Sequence, residues 1–170
     1  MGKFKPRMYF KSIFDINYKL LKNKNIKVLI FDLDNTVALV NEKLPSKKVI
    51  DLFSKLRNDF KVFIASNNYK ERVRKIGNAL GVHAFYSVKK PSKKIKKLLL
   101  KEYDVNMSDV AIIGDQIVTD MFMGNRLGMY TILVDPMGED LKITFFNRLV
   151  EKIIIKRIKV KRGNYYEEVL

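Results

Sequence analysis

The stretch "VLIFDLDNTV", residues 28 to 37, begins as a strand and ends as something else. Val28 to Phe31 is an unbroken apolar run, the pattern of a strand covered on both faces. Asp32 and Asp34 then follow, two residues apart, at its end. Where extended geometry persists, alternate residues face one side, so the two carboxylates are expected to point together. Adjacent anions raise each other's proton affinity unless a cation separates them. A hard divalent ion such as Mg²⁺ fits that place, because it takes oxygen ligands and shares them with phosphates.

Four more segments repeat the pattern on either side: "KVFIAS" (61–66), "HAFYSV" (83–88), "VAIIGD" (110–115) and "YTILVD" (130–135). With 27–33 they predict a five-stranded, mainly parallel sheet buried on both faces. Segments 46–60, 69–81, 91–103 and 116–128 carry helical periodicity, and a further helix is expected over 12–23. Ser46 suits an N-cap, Pro91 a first helical position, and Gly81 and Gly128 helix ends. Strand–helix alternation of this kind predicts an α/β, three-layer Rossmann-like fold. In such folds reactive groups gather beyond the carboxyl ends of the strands, where Asp32, Asp34, Ser66 and Asp115 all fall.

Length and composition set the limits. The 170 residues are 47% hydrophobic, which fits one globular domain, 1–170, with a core of about 25–136 and a basic segment over 137–170. With no cysteine, disulfides and thiolate metal sites are excluded. The basic N-terminus lacks the continuous apolar core of a signal peptide. No run reaches the roughly 18–20 apolar residues of a membrane span. A cytoplasmic protein is expected, with peripheral attachment to the inner face of a membrane as an option. Thirty-four Lys and Arg against 18 Asp and Glu leave a net charge of +16. Such a field favours nucleic acid, anionic lipid or phosphorylated substrates, although a lysine-rich coding habit gives the same number.

The remaining chemistry sits at other strand ends. "GDQIVTD" supplies Asp115, able to complete a metal site, and Asp120. Ser66 and Asn67 of "IASNN" offer polar groups, beside backbone N–H groups able to hold phosphate oxygens. In "VKKPSKK", Lys90 precedes Pro91, which biases it toward an extended geometry off the strand end. Lys89 competes with it for the cationic role. Singly, these are a turn, a helix cap and a solvated lysine face. Their occurrence in order, each at a strand end, points to a site. His83 and Met121, Met123 and Met129 are assigned to structure.

"DLDNT", a strand ending in "SN", a Lys–Pro and "IIGDQIVTD" resemble, in order, the four motifs of the haloacid dehalogenase (HAD) superfamily over about residues 27–135. "DLDNT" and "GDQIVTD" with "NRLGMYTILV" resemble more narrowly the YqeG-like phosphatases of subfamily IIIA, to which mitochondrial phosphatidylglycerophosphate phosphatase is similar. Asn35 departs from the superfamily's commoner glycine, in a way usual for that subfamily. The resemblance implies a HAD fold and a Mg²⁺-dependent phosphomonoester hydrolase working through an aspartyl-phosphate. Asp32 would be the nucleophile, Asp34 the general acid and base, and Ser66, Asn67 and Lys90 the phosphate-binding groups. Asp32, the Asp34 carbonyl and Asp115 would hold Mg²⁺, with Asp120 supporting Lys90 or the metal.

The spacing between motifs leaves no room for a cap domain. An open site suits a large substrate, and phosphatidylglycerophosphate at a membrane surface is the favoured one. The alternatives are a soluble nucleotide or sugar phosphate, or a basic RNA- or ribosome-binding module with a vestigial site. "FFNRLVEKIIIKRIKVKR" and "KPRMYFKSIF" both mix basic and apolar residues, so they suit either an anionic bilayer or packing on the domain.

Overall fold

The computed structural model describes residues 2–138 and Ile154. Its elements alternate along the chain: β1 Met8–Phe10, α1 Tyr18–Asn23, β2 Val28–Phe31, α2 Lys47–Leu56, β3 Lys61–Ala65, α3 Lys70–Leu80, β4 His83–Phe85, α4 Lys94–Glu102, β5 Val110–Gly114, α5 Phe122–Leu127 and β6 Tyr130–Val134. The strands form one sheet in the order β1-β6-β5-β2-β3-β4, parallel at every pairing. β2 lies in the middle, so its end opens between β3 and β5.

Side-chain alternation accounts for the unbroken apolar runs. Leu29 and Phe31 of β2, with Ala111 and Ile113 of β5, face a core built with α1, α2 and α3. Val28, Ile30, Val110 and Ile112 face the other way, onto α4 and α5. Both faces are therefore buried, giving three layers. Phe31 and Phe53 meet at 4.8 Å between ring centroids, one of the contacts pinning α2 beneath β2. Burying side chains of this size contributes about 1.5–3 kcal/mol each.

The helix boundaries follow local chemistry. Ser46 Oγ accepts from the Val49 N–H at 3.4 Å, and Gly81 (φ 65°) and Gly128 (φ 77°) end α3 and α5 in the left-handed conformation that glycine adopts freely.

The sheet has six described strands where five were expected, and it is wholly parallel. The extra strand, β1, pairs Met8 with Ile132, Tyr9 with Leu133 and Phe10 with Val134. Three residues are too few to show a strand period, which is why "KPRMYFKSIF" read as a basic, apolar mixture. Met8 and Ile13 are buried in the first core, and Phe10 and Phe14 pack against it. The sheet thus reaches back to Met8, ahead of the expected core start near residue 25.

Pro91 does not open a helix. The Lys90–Pro91 peptide is cis and α4 begins only at Lys94. β4 also stops at Phe85, short of the expected residue 88. Beyond it Ser87 (φ 48°) and Lys89 (φ 58°) take left-handed backbone conformations, turning the chain off the sheet edge and across the strand ends. Such conformations cost about 1–3 kcal/mol each and persist where surrounding contacts hold them. The basic C-terminal segment lies outside the described residues except at Met137, Gly138 and Ile154. The Ile154 side chain is half-buried against Ile117, Met121 and Leu133.

Candidate active site

The centre of the site is one lysine between two carboxylates. Asp32 follows β2, and its N–H donates to Ile113 O at 2.8 Å, carrying the ladder one residue further. Lys90 Nζ donates to Asp32 Oδ1 at 2.5 Å and to Asp120 Oδ1 at 2.7 Å. All three side chains are buried, Asp120 completely. Of the two lysines, Lys89 is exposed and Lys90 is the one buried between the carboxylates. Asn67 fixes the lysine's backbone: its Oδ1 accepts from Lys90 N at 2.6 Å and its Nδ2 donates to Lys90 O at 3.2 Å.

Asp120 reaches this cluster from a π-helical turn, Ile117–Met121, placed directly after β5. Such turns insert one extra residue and frequently mark functional positions. The Gln116 N–H donates to Asp120 Oδ2 at 3.3 Å. Gly114 makes the approach possible, since a Cβ there would run into the Asp120 carboxylate. Asp115 is also buried and accepts from Thr36 Oγ1 at 3.0 Å.

Burial and neighbouring charge set the proton affinities in this cluster. Burial pushes the Asp32 carboxyl up, Lys90 opposes that, Asp120 adds to it, and the result stands at about 7. Burial likewise raises Asp120, with Lys90 pulling the other way and Asp115 pushing further up. Burial works against the Lys90 ammonium too, but Asp120 and Asp32 outweigh it and hold Lys90 above the ordinary lysine value. One ammonium therefore bridges two buried acids, with Asp115 beside them. Asp32, Asp115 and Asp120 each offer an oxygen, all within 4.8 Å of one another. An all-oxygen, carboxylate-rich donor set of this kind fits Mg²⁺.

Asp34 goes elsewhere. The strand ends at Phe31, and Asn35 (φ 60°) turns the chain, so the alternation that would pair Asp34 with Asp32 does not persist. Arg72 Nη2 and Nε donate to Asp34 Oδ1 at 2.8 and 3.1 Å, and Asn68 Nδ2 donates to Oδ2 at 3.0 Å. The carboxylates grouped closely enough to hold a metal ion are thus Asp32, Asp115 and Asp120, and the Asp34 carboxylate is not among them. The left-handed turn also accounts for the absent glycine, since asparagine is among the few residues that tolerate such a backbone. Ser66 lies buried at the end of β3, where its Oγ accepts from Asn68 N at 3.0 Å.

The family described as "Mitochondrial PGP phosphatase" matches residues 2–138 of this chain. The chain belongs to that family of HAD phosphatases. Its relatives include the Bacillus subtilis protein named "Probable phosphatase YqeG", 36% identical over 97% of both chains. The Arabidopsis thaliana "Phosphatidylglycerophosphate phosphatase 1, chloroplastic/mitochondrial" is 26% identical over 89% of this chain. The chain spans about half of that plant relative, 47% of its length. A HAD-family enzyme from Bacteroides thetaiotaomicron, solved as a magnesium complex, shares the fold with a TM-score of 0.53 and 14% identity, over 71% of this chain and 98% of its own.

Three polar residues of this HAD phosphatase were not singled out from the sequence. Thr36 and Asn68 sit inside quoted motifs and needed only their neighbours' positions. Arg72 carried a signal of its own: a cation in the first turn of α3 opposes the helix dipole, which invites the question of what holds it there. Besides Asp34, it donates to Leu39 O at 2.9 Å and to Glu42 O, tying the 39–42 loop to the site. No helix among the described residues is long and apolar enough to cross a membrane.

Proposed function

We propose that this phosphatase hydrolyses phosphate monoesters through an aspartyl-phosphate on Asp32, and that its substrate is phosphatidylglycerophosphate in a membrane. The observation that carries the chemistry is the buried Lys90 bridging Asp32 and Asp120 beside Asp115. Asp32, Asp115 and Asp120 would hold Mg²⁺, with the Asp34 carbonyl completing the set. When bound, the ion supplies the positive charge that keeps Asp32 ionised and offsets the charge of the phosphoryl group.

A carboxylate oxygen of Asp32 attacks phosphorus while the ester P–O bond breaks, and Asp34 gives its proton to the leaving alkoxide. Asp34 then takes a proton from water, whose oxygen attacks the phosphoryl group. The bond from phosphorus to Asp32 breaks and inorganic phosphate leaves. Lys90 holds the nucleophile in place and lessens its repulsion of an incoming dianion. Ser66, at the mouth of the same strand ends, contributes to holding the phosphate oxygens. Asn67 acts through Lys90, whose backbone it clamps.

The lipid assignment is supported by the family's description, by the plant relative's name and by the lack of a cap between the motifs. Phosphate release from phosphatidylglycerophosphate in anionic vesicles tests it, wild type beside Asp32→Asn and with and without Mg²⁺. We expect metal-dependent turnover that the variant lacks. Cleavage of p-nitrophenyl phosphate with no release from the lipid would keep the chemistry and reject the substrate.

A further inference from the structure

We propose that the rim of the active site is a docking face for an anionic lipid bilayer, an inference that rests on the phospholipid reading above. Among the described residues four large apolar side chains stand about half exposed: Leu44 (52%), Tyr69 (60%), Leu100 (51%) and Met137 (45%). Single exposed apolar residues are ordinary on any protein surface. Their distribution here is not. Three of the four are tied to the turn that carries Asp34.

Leu44 lies in the loop whose Leu39 and Glu42 carbonyls are held by Arg72, the partner of Asp34. Tyr69 follows Asn68, which itself donates to Asp34, and it stands at the start of α3. The Met137 N–H donates to Asn35 O at 2.8 Å. Tyr69 and Met137 are thus one or two hydrogen bonds from the segment following Asp32, and Leu44 lies two residues along the chain from Glu42, which Arg72 holds. Leu100 sits in the last turns of α4, which in a parallel α/β unit runs back toward the opposite end of the sheet.

Charge follows the same geography. In segments 39–46, 67–71, 87–90 and 135–138 the exposed charged residues are Lys43, Lys70 and Lys89 against Glu71, while the half-buried acids Glu42 and Asp135 accept internal bonds from the Leu39 N–H and the Tyr9 hydroxyl. Lys43 adjoins Leu44 and Lys70 adjoins Tyr69. Apolar side chains that enter the headgroup–acyl boundary, flanked by lysines at the level of the phosphates, are what an anionic interface binds. The overall charge of +16 draws the molecule to such a surface. Docked by this rim, the protein would meet a lipid phosphate monoester at the mouth of the Asp32 pocket without lifting the lipid from its leaflet.

The chain has no tryptophan, so one introduced indole reports its own environment. Leu44→Trp and Leu100→Trp are to be compared on vesicles of phosphatidylglycerol and phosphatidylcholine, with and without acyl-chain bromination. We expect a blue shift and bromine quenching for Leu44→Trp alone. A Leu44→Ser/Tyr69→Ser/Met137→Ser variant should bind the vesicles at least about tenfold more weakly. It should lose vesicle-borne turnover to match while cleaving p-nitrophenyl phosphate as the wild type does. An unshifted Leu44→Trp, equal shifts at both positions, or undiminished binding by the triple variant would each overturn the proposal. The last two outcomes would move attachment to another surface, such as residues 139–170. Lipid turnover by the wild type with Leu44→Trp still in water sinks the docking face and keeps the substrate. A docked Leu44→Trp without lipid turnover supports the face and sinks the substrate.

Discussion

Replacing Lys90 by methionine keeps most of the aliphatic stem and deletes the ammonium. In the wild type that group is 3% exposed, 2.5 Å from Asp32 and 2.7 Å from the fully buried Asp120. Deleting one partner of a buried ion pair costs about 3–5 kcal/mol, and here two carboxylates lose their counter-ion together, so we expect about 4–5 kcal/mol. At about 2–4 °C per kcal/mol for a chain of this size, Tm should fall by about 10–15 °C. Acidity supplies the diagnostic signature. Burial already holds Asp32 at about 7, and holds Asp120 raised, with Lys90 in place. A carboxyl whose folded pKa is raised binds more protons folded than unfolded between the ordinary carboxylate range and that raised value. Stability therefore climbs as pH falls from above about 7 toward about 4. Without Lys90 both acids are pushed further up, so the variant's deficit should be largest at pH 8 and shrink by pH 5. Urea unfolding of both proteins at the two pH values, with divalent ions chelated, reads this directly. A cost below about 1 kcal/mol, or one equal at both pH values, would refute the view that Lys90 neutralises buried carboxylates.

Mg²⁺ at about a hundredfold over its Kd should add about 2.7 kcal/mol of stability, or about 5–10 °C in Tm. Asp115→Asn should remove most of that rise in a thermal melt, and a wild-type Tm indifferent to Mg²⁺ would count against the cluster as a cation site. Gly114→Ala places a methyl group against the Asp120 carboxylate and displaces the Lys90 bridge. We expect a loss of about 100-fold in kcat, as displacements near 1 Å produce, and unchanged kinetics would show that Asp120 has room to move. Arg72→Gln removes bonds to Asp34, Leu39 and Glu42. Amide hydrogen exchange over residues 39–42 should quicken, and exchange at the wild-type rate would mean that the loop is held by something else.

The order of strands and helices could be read because both faces of the sheet are covered. A strand buried on both sides must be apolar at every position, and Val28–Phe31 and Val110–Gly114 carry that signature in the sequence itself. What escaped were features whose cause is distant in sequence. β1 is a strand only because Ile132–Val134 offers it an edge. Pro91 follows a rule for helix starts, yet Asn67, from the neighbouring strand end, holds the preceding backbone in another shape. The carboxylates were visible as types and spacings. The family resemblance also grouped Asp32, Asp115 and Asp120, but the Asp34 carboxylate was expected beside Asp32, because alternation assumes a strand that in fact stops one residue before Asp32. Asp120 was expected to support Lys90 or the metal, but the π-helical turn that carries it was not, since nothing in "QIVTD" announces that the helix will widen there.

The pairing of β1 with β6 also has a consequence for synthesis. Arg7 and Thr131, hydrogen-bonded across that seam, are 124 residues apart. Among the described strands, the first to leave the ribosome thus waits for the last, roughly 6–25 s at ordinary elongation rates. Until then Met8–Phe10 has no edge to join, and β5 presents an open edge where β6 will later lie. Unpaired edges of this kind recruit other chains. The vulnerable period in the life of this protein is therefore its birth, and chaperone demand should follow the rate of translation more closely than the stability of the finished fold.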